Sequence, residues 1–421
     1  MIRTLLASLL AVASVHASDV RELAYPPSTT PGELKMESHF YLWLPPGVTA
    51  VRGIVVHQHG CGTGSEMSGV TGADDLHWQA LAAKWQFALL SSSYRAGEKE
   101  ACSVWCDPRN GSDARFNLAL ADFAKETKHP ELTSVPWCLW GHSGGGVWVS
   151  LMLAAHPEKV VAVWCRSGTA LADLSIKRPD RPPPVIPEAA YHVPVMANTG
   201  LKEKDDKRFH TAWETSHQMH LDMRAKGSPI GVAPDPRTSH QCGDQRYLAV
   251  RFFDTCLAMR LPEKGNDLKP VDFSGAWLAE VDTDAAVPAA EFKGDKSKSV
   301  WLPDAAFAKA WMEYVKTGYV TDTTPPPAPT NLKVSGNELT WEATADVEGG
   351  LASFLIERNG QPIATLPEKP DTTFGHALFQ SMTYSDTAKP PLAQMRYTDK
   401  DATPGAKYKI IAVNTSGLKS E

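Results

Sequence analysis

The pentapeptide Gly141-His142-Ser143-Gly144-Gly145 sets a serine among glycines, where one apolar run (Val135 to Trp140) gives way to another (Val147 to Ala155). A serine on so tight a strand-to-helix reversal exposes its hydroxyl as a nucleophile for acyl transfer, and the tightness of the turn demands minimal neighbours. Glycine and serine are common enough that the bare pattern arises by chance in roughly one chain of this length in seven, so the surrounding residues must carry the argument. The hydroxyl attacks only if a base takes its proton, a carboxylate orients that base, and fixed donors meet the developing oxyanion. As base, His240 stands in a polar loop, whereas His210, His217 and His220 fall inside a helix-like segment. As acid, Gly200-Leu201-Lys202-Glu203-Lys204-Asp205-Asp206 offers three carboxylates, and His59-Gly60-Cys61-Gly62 offers backbone donors with glycines that allow close approach.

These groups need a scaffold, and the apolar patterning supplies one. Compact runs at Phe40 to Leu44, Gly53 to Val56, Phe87 to Leu90, Trp137 to Trp140, Val160 to Trp164, Val195 to Asn198 and Ile230 to Val232 read as strands. Helix-like segments fall between them: Leu76 to Trp85, Phe116 to Ala124, Val147 to Ala155, Phe209 to Ala225 and the closing Tyr247 to Arg260. This alternation specifies an α/β protein with a largely parallel sheet covered on both faces. Gly168 to Pro194, with Pro182-Pro183-Pro184, interrupts the rhythm and reads as a lid or substrate-shaping loop. The chain divides into an export signal over 1–17 (Arg3, an apolar stretch from Leu5 to Val15, then Val15-His16-Ala17), a catalytic domain over 18–262, and a connecting region over 263–327. The connecting region holds one helical patch, Ala305 to Val315, and ends in Pro325-Pro326-Pro327; a β-rich domain follows over 328–421.

The ordered set His59-Gly60-Cys61-Gly62, Gly141-His142-Ser143-Gly144-Gly145, Gly200 to Asp205 and Ser239-His240 resembles the α/β-hydrolase superfamily over roughly Lys35 to Pro262. The resemblance implies an eight-stranded, mostly parallel sheet with Ser143, an acid and His240 on loops at its carboxyl edge, in the chain order serine, acid, histidine. Asp205 is the first choice of acid, Asp206 the second and Glu203 the third. The backbone N–H groups of Cys61 and Gly144 are the expected oxyanion donors. Exported esterases and depolymerases acting on feruloyl or acetyl esters and on polyhydroxyalkanoates look similar. From Ala328 onward, short β-like runs (Leu332 to Val334, Leu339 to Trp341, Phe354 to Arg358, Tyr408 to Val413) with Trp341, Tyr408 and the ending Asn414-Thr415-Ser416-Gly417 resemble a fibronectin type III domain. An apparent insertion at Asp371 to Arg396 departs from that pattern. Such a domain is expected to serve as a spacer or to contact a carbohydrate or polymer.

A formal net charge of −6 with interspersed signs gives no footprint for nucleic acid, and no later stretch approaches the roughly 20 apolar residues of a membrane span. Seven cysteines in an exported chain suggest at least one disulfide. Cys102 with Cys106 is the first expected pair, Cys61 with Cys242 the alternative, and Cys138 and Cys165 read as buried thiols. A serine peptidase of the same fold and a non-catalytic secreted binding protein are the competing functions. Ester cleavage is preferred over peptide cleavage because an alkoxide leaves with less help and no gating domain precedes the catalytic region. His57 and His59 could instead form a metal pair with His77, His129 or His192, but none of those follows a strand, and no cofactor or metal is expected. Trp105, Trp148, Trp164 and Trp213 are candidate pocket walls or core.

Overall fold

The computed structural model describes residues 20–95, 101–172 and 184–421. The signal-like segment and Pro182-Pro183 of the interrupting loop lie outside them. The apolar runs form one eight-stranded sheet: β1 (Arg21–Tyr25), β2 (Glu37–Trp43), β3 (Gly53–Gln58), β4 (Phe87–Arg95), β5 (Trp137–His142), β6 (Val160–Arg166), β7 (Val195–Gly200) and β8 (Ile230–Asp235). Its order is β1-β2-β4-β3-β5-β6-β7-β8. β1 pairs with β2 and β2 with β4 in antiparallel fashion, and the remaining strands run parallel. The central strands read as unbroken apolar runs because helices cover both faces, and every residue of β3, β5, β6 and β7 is buried.

The helices are α1 (Thr63–Thr71), α2 (Leu76–Trp85), α3 (Ala101–Trp105), α4 (Ser112–Thr127), α5 (Gly144–Ala155), α6 (His210–Ala225), α7 (Arg246–Arg260) and α8 (Ala305–Thr317). This is the α/β-hydrolase fold. The edge strand β1 has no sequence signature because Arg-Glu-Leu-Ala-Tyr buries almost none of its side chains. α1 escapes periodicity because it carries no apolar stripe, and α3 because five residues are too few to show a period. The segment read as a connector packs into the main core, burying Leu278, Trp301, Phe307 and Trp311. The Trp311 indole N–H donates to the Val232 carbonyl at 2.7 Å, fastening α8 under β8.

The C-terminal region forms two three-stranded antiparallel sheets around a second core of Leu339, Trp341, Phe354, Ile356, Ile410 and Ala412. One joins β12 (Thr330–Ser335), β13 (Glu338–Glu342) and β16 (Arg396–Thr398); the other joins β15 (Gln361–Leu366), β14 (Ser353–Arg358) and β17 (Tyr408–Val413). Three short strands, β9 (Trp277–Ala279), β10 (Ala286–Pro288) and β11 (Val300–Leu302), precede them as a separate small sheet.

The long segment between β15 and β16 leaves the sandwich and lies on the α/β domain. Arg246 of α7 fixes it there. Its guanidinium holds both oxygens of Asp75, at 3.1 and 2.8 Å, and Asp386 Oδ1 at 2.9 Å, all three side chains being buried. Asp75 also caps α2 by accepting from the amides of His77 and Trp78. Thr71 donates to the Ala388 carbonyl, Ser68 to Thr383 Oγ1 at 2.9 Å, and the Leu76 amide to Gln380 Oε1 at 2.9 Å.

Candidate active site

Ser143 lies between β5 and the first residue of α5 with φ 55° and ψ −115°. A side chain other than glycine adopts positive φ only under strain, and such strain clusters at functional turns. The surrounding glycines hold the reversal. A Cβ on Gly145 would strike the carbonyls of Gln58 and His59, and one on Gly144 would strike the sulfurs of Cys61 and Cys102. The Ser143 amide donates to the Arg166 carbonyl at 2.7 Å, so the turn is pinned to β6.

His240 arrives on the loop after β8. Ser143 Oγ–H donates to His240 Nε2 at 2.9 Å, and His240 Nδ1–H donates to Glu203 Oε1 at 2.6 Å. The acid at this position is therefore Glu203, not Asp205. β7 ends in one turn of 3₁₀ helix (Leu201–Asp205) that directs Glu203 inward while Asp205 projects into solvent. Asp206 is occupied otherwise: it accepts from the amides of Arg208 and Phe209 at 2.8 and 3.1 Å and from Ser239 Oγ at 2.9 Å, shaping the turn before α6. Gly200 makes room for this meeting, because any Cβ there would collide with the carbonyls of Thr238 and Ser239.

Burial governs the charges. Glu203 is fully buried, and desolvation raises its carboxyl to about 7 against the pull of the nearby Arg166 cation. The same burial, reinforced by Arg166 and Arg208, depresses His240 to about 3. Burial thus disfavours charge on both partners and favours the neutral imidazole that a proton acceptor requires. Arg166 also holds the histidine loop, donating to Asn198 Oδ1 at 3.1 Å, Thr238 Oγ1 at 3.1 Å and the Ser239 carbonyl at 2.9 Å. Phe209 stacks on the His240 ring at 3.8 Å between centroids.

The loop at Gly60 abuts the serine: a Cβ on Gly60 would lie 3.2 Å from both Ser143 Cβ and His142 Nδ1. Gly144 opens α5, so its N–H has no intrahelical acceptor. Cys61 is disulfide-bonded to Cys102 across a Cα separation of 5.3 Å. Neither expected pairing, Cys102 with Cys106 or Cys61 with Cys242, forms; Cys106, Cys138, Cys165 and Cys242 are all buried. α3 turns Cys102 toward the loop at Cys61, a contact between segments far apart in sequence.

His142, the residue before the serine, reaches both domains. Its Nε2–H donates to the His240 carbonyl at 2.8 Å, and its Nδ1 accepts from Ser385 Oγ at 3.0 Å. Desolvation holds this imidazole neutral, well below the usual histidine range. Ser385 Oγ also receives the Gly60 amide at 3.5 Å. One serine of the C-terminal insertion therefore links the Gly60 loop to the elbow, and His142 in turn reaches the histidine loop. The sequence marks the insertion as a departure from its pattern but carries no sign of this destination.

The proposed histidine pair is engaged elsewhere. His57 stacks on Trp140 at 3.8 Å, His59 bonds to the Gly60 carbonyl, and among the described residues no three His, Cys, Asp or Glu side chains form a metal-binding group. Trp105, Trp148 and Trp164 are core residues, Trp148 and Trp164 with no exposed surface, and Trp213 is nearly buried. No described helix is long and apolar enough to cross a membrane.

No protein-family model and no curated protein matches the chain. Solved structures do. A poly(3-hydroxybutyrate) depolymerase from Bordetella parapertussis is 15% identical, with 58% of this chain and 92% of that one covered at a TM-score of 0.42. A poly(aspartic acid) hydrolase-1 from Sphingomonas sp. KT-1 is 14% identical, covering 52% and 93% at 0.38. A ferulic acid esterase is 13% identical, covering 56% and 95% at 0.38.

Proposed function

We propose that the chain is an exported serine-dependent carboxylic ester hydrolase that works through an acyl-enzyme. The observation that carries this is the hydrogen-bonded series Ser143, His240, Glu203, with distances of 2.9 and 2.6 Å, at a strained turn. Ser143 Oγ attacks the ester carbonyl carbon as its proton passes to His240 Nε2, giving a tetrahedral oxyanion that accepts from the Cys61 and Gly144 amides. Glu203 stabilises the imidazolium. Collapse expels the alcohol, protonated by His240. Water, deprotonated by the same nitrogen, then attacks the acyl carbon, and the acid leaves as Ser143 regains its proton. Substrates are acyl esters of plant-type polymers or polyesters. Export rests on the residues of 1–17 and accords with a Cys61–Cys102 bond. The pairing β12-β13-β16 facing β15-β14-β17 supports the fibronectin type III-like reading of the last domain.

The test is turnover of short p-nitrophenyl esters with stoichiometric labelling of Ser143 by a phosphonate. Ser143→Ala should abolish both. Loss of activity to a chelator with labelling unaffected would defeat this assignment, as would a preference for amide substrates over the matching esters.

A further inference from the structure

We infer that the C-terminal domain builds the subsite for the alcohol half of the ester, with Tyr384 as its wall and a neutral, hydroxyl-rich alcohol of the carbohydrate type as its occupant. This rests on the ester-hydrolase reading. Tyr384 adjoins Ser385 on the insertion, and its half-buried ring lies 5.5 Å from His142 and 6.4 Å from His240 between centroids. The histidine that delivers a proton to the departing oxygen must face the alcohol rather than the acyl group. A ring flanking that histidine therefore borders the alcohol. Phe374, also of the insertion, packs edge-on against Tyr384 at 5.9 Å, and it lines a cavity of 630 Å³ between the two domains.

That cavity is lined by Thr238 and Gln241 of the histidine loop and by Thr373 and Thr415 of the C-terminal domain. Its volume lies within the range that takes a small-molecule or short oligomeric group. Threonine hydroxyls, the Gln241 carboxamide, the rings of Phe374 and His376, and small apolar residues make up this lining. Arg237, on this lining, is already paired with Asp244, which also binds the lining residue His376. Such a surface offers neutral donors and acceptors and a flat apolar platform, which suits a sugar ring better than an anionic or purely aliphatic alcohol. The Tyr384 hydroxyl, raised to about 12 by burial, remains a neutral donor.

The full-length chain can be tested with two acetyl esters that yield the same acetyl-enzyme: an acetylated xylo-oligosaccharide and ethyl acetate. Both transfer the same acetyl group and kcat/KM extends only as far as acylation, so a change in their ratio of kcat/KM reports the alcohol side. Tyr384→Ala should lower that ratio by about tenfold or more, the scale at which pocket contacts discriminate. Tyr384→Phe should keep most of it. Phe374→Ala, at the more open rim, should lower the ratio in the same direction, which covers the case of a poorly folding Tyr384→Ala. An unchanged ratio in variants that still label fully with phosphonate overturns the subsite. So does a change that follows acyl chain length, tested with butyrate against acetate esters, instead of the alcohol. A wild-type chain that turns over neither ester defeats the ester reading and this inference with it.

Discussion

Shortening Glu203 by one carbon is the sharpest probe of the site. Glu203→Asp withdraws the carboxylate by about 1.5 Å, the length of one carbon–carbon bond. The 2.6 Å contact to His240 Nδ1 then opens to about 4 Å, beyond hydrogen-bonding range. Asp205, which projects into solvent, cannot swing in to replace it because the 3₁₀ turn holds it on the opposite side. Glu203→Gln keeps the length but removes the charge that stabilises the imidazolium. Loss of the orienting carboxylate in a triad lowers kcat by about 10⁴, equivalent to about 5 kcal/mol of transition-state stabilisation. Glu203→Gln is therefore expected to approach that loss, Glu203→Asp to fall somewhat short of it, and Asp205→Asn to stay within about twofold of the parent, since exposed substitutions seldom propagate. The assay is kcat on p-nitrophenyl acetate above about pH 7, where the Glu203 carboxyl is ionised, normalised to phosphonate-titrated Ser143. Should Asp205→Asn collapse while Glu203→Gln keeps a tenth or more of the activity, the assignment of Glu203 is wrong.

Other outcomes follow from the same geometry. Because burial raises Glu203 to about 7 and Arg166 opposes that rise, kcat/KM should fall as pH drops through about 7; Arg166→Met should move this acid limb to higher pH, and a limb that stays fixed would sever the link. Gly144→Ala forces a methyl group against the Cys61 and Cys102 sulfurs, and the displaced oxyanion donors should cost about 10² or more in kcat with a modest change in KM. Arg246→Met strands Asp75 and Asp386 in the interior, so urea titration should show a loss of about 3–5 kcal/mol. Replacing Cys61 and Cys102 together by alanine opens a loop of sequence separation 41 and should cost about 4 kcal/mol by the chain-entropy relation; equal melting with and without reductant would contradict it.

The sheet was legible because β3, β5, β6 and β7 are buried on both faces, which leaves long apolar runs that only a covered parallel sheet can use. The serine and histidine were legible because each sits in a loop following a recognisable strand. The acid was harder. Three carboxylates share one short loop, and the choice among them depends on which way a single 3₁₀ turn faces, a property that side-chain identity does not encode. The carboxylate that meets His240 is also not the expected aspartate but a glutamate, one carbon longer. The disulfide and the insertion depend on contacts between distant segments, such as Ser385 with His142, 243 residues apart. Neither local pattern nor spacing reports such contacts.

The link from Ser385 to His142 gives the site an order of assembly. Synthesis runs from the N-terminus, and domains fold largely as units in that order. Ser143, Glu203 and His240 all emerge before the insertion does. Until residues 385 and 386 are added, His142 has no hydroxyl on its Nδ1 and Arg246 holds one of its two carboxylates. The stretch that carries Ser143 and His240 is thus made with its elbow unbraced, and the brace arrives only with the insertion.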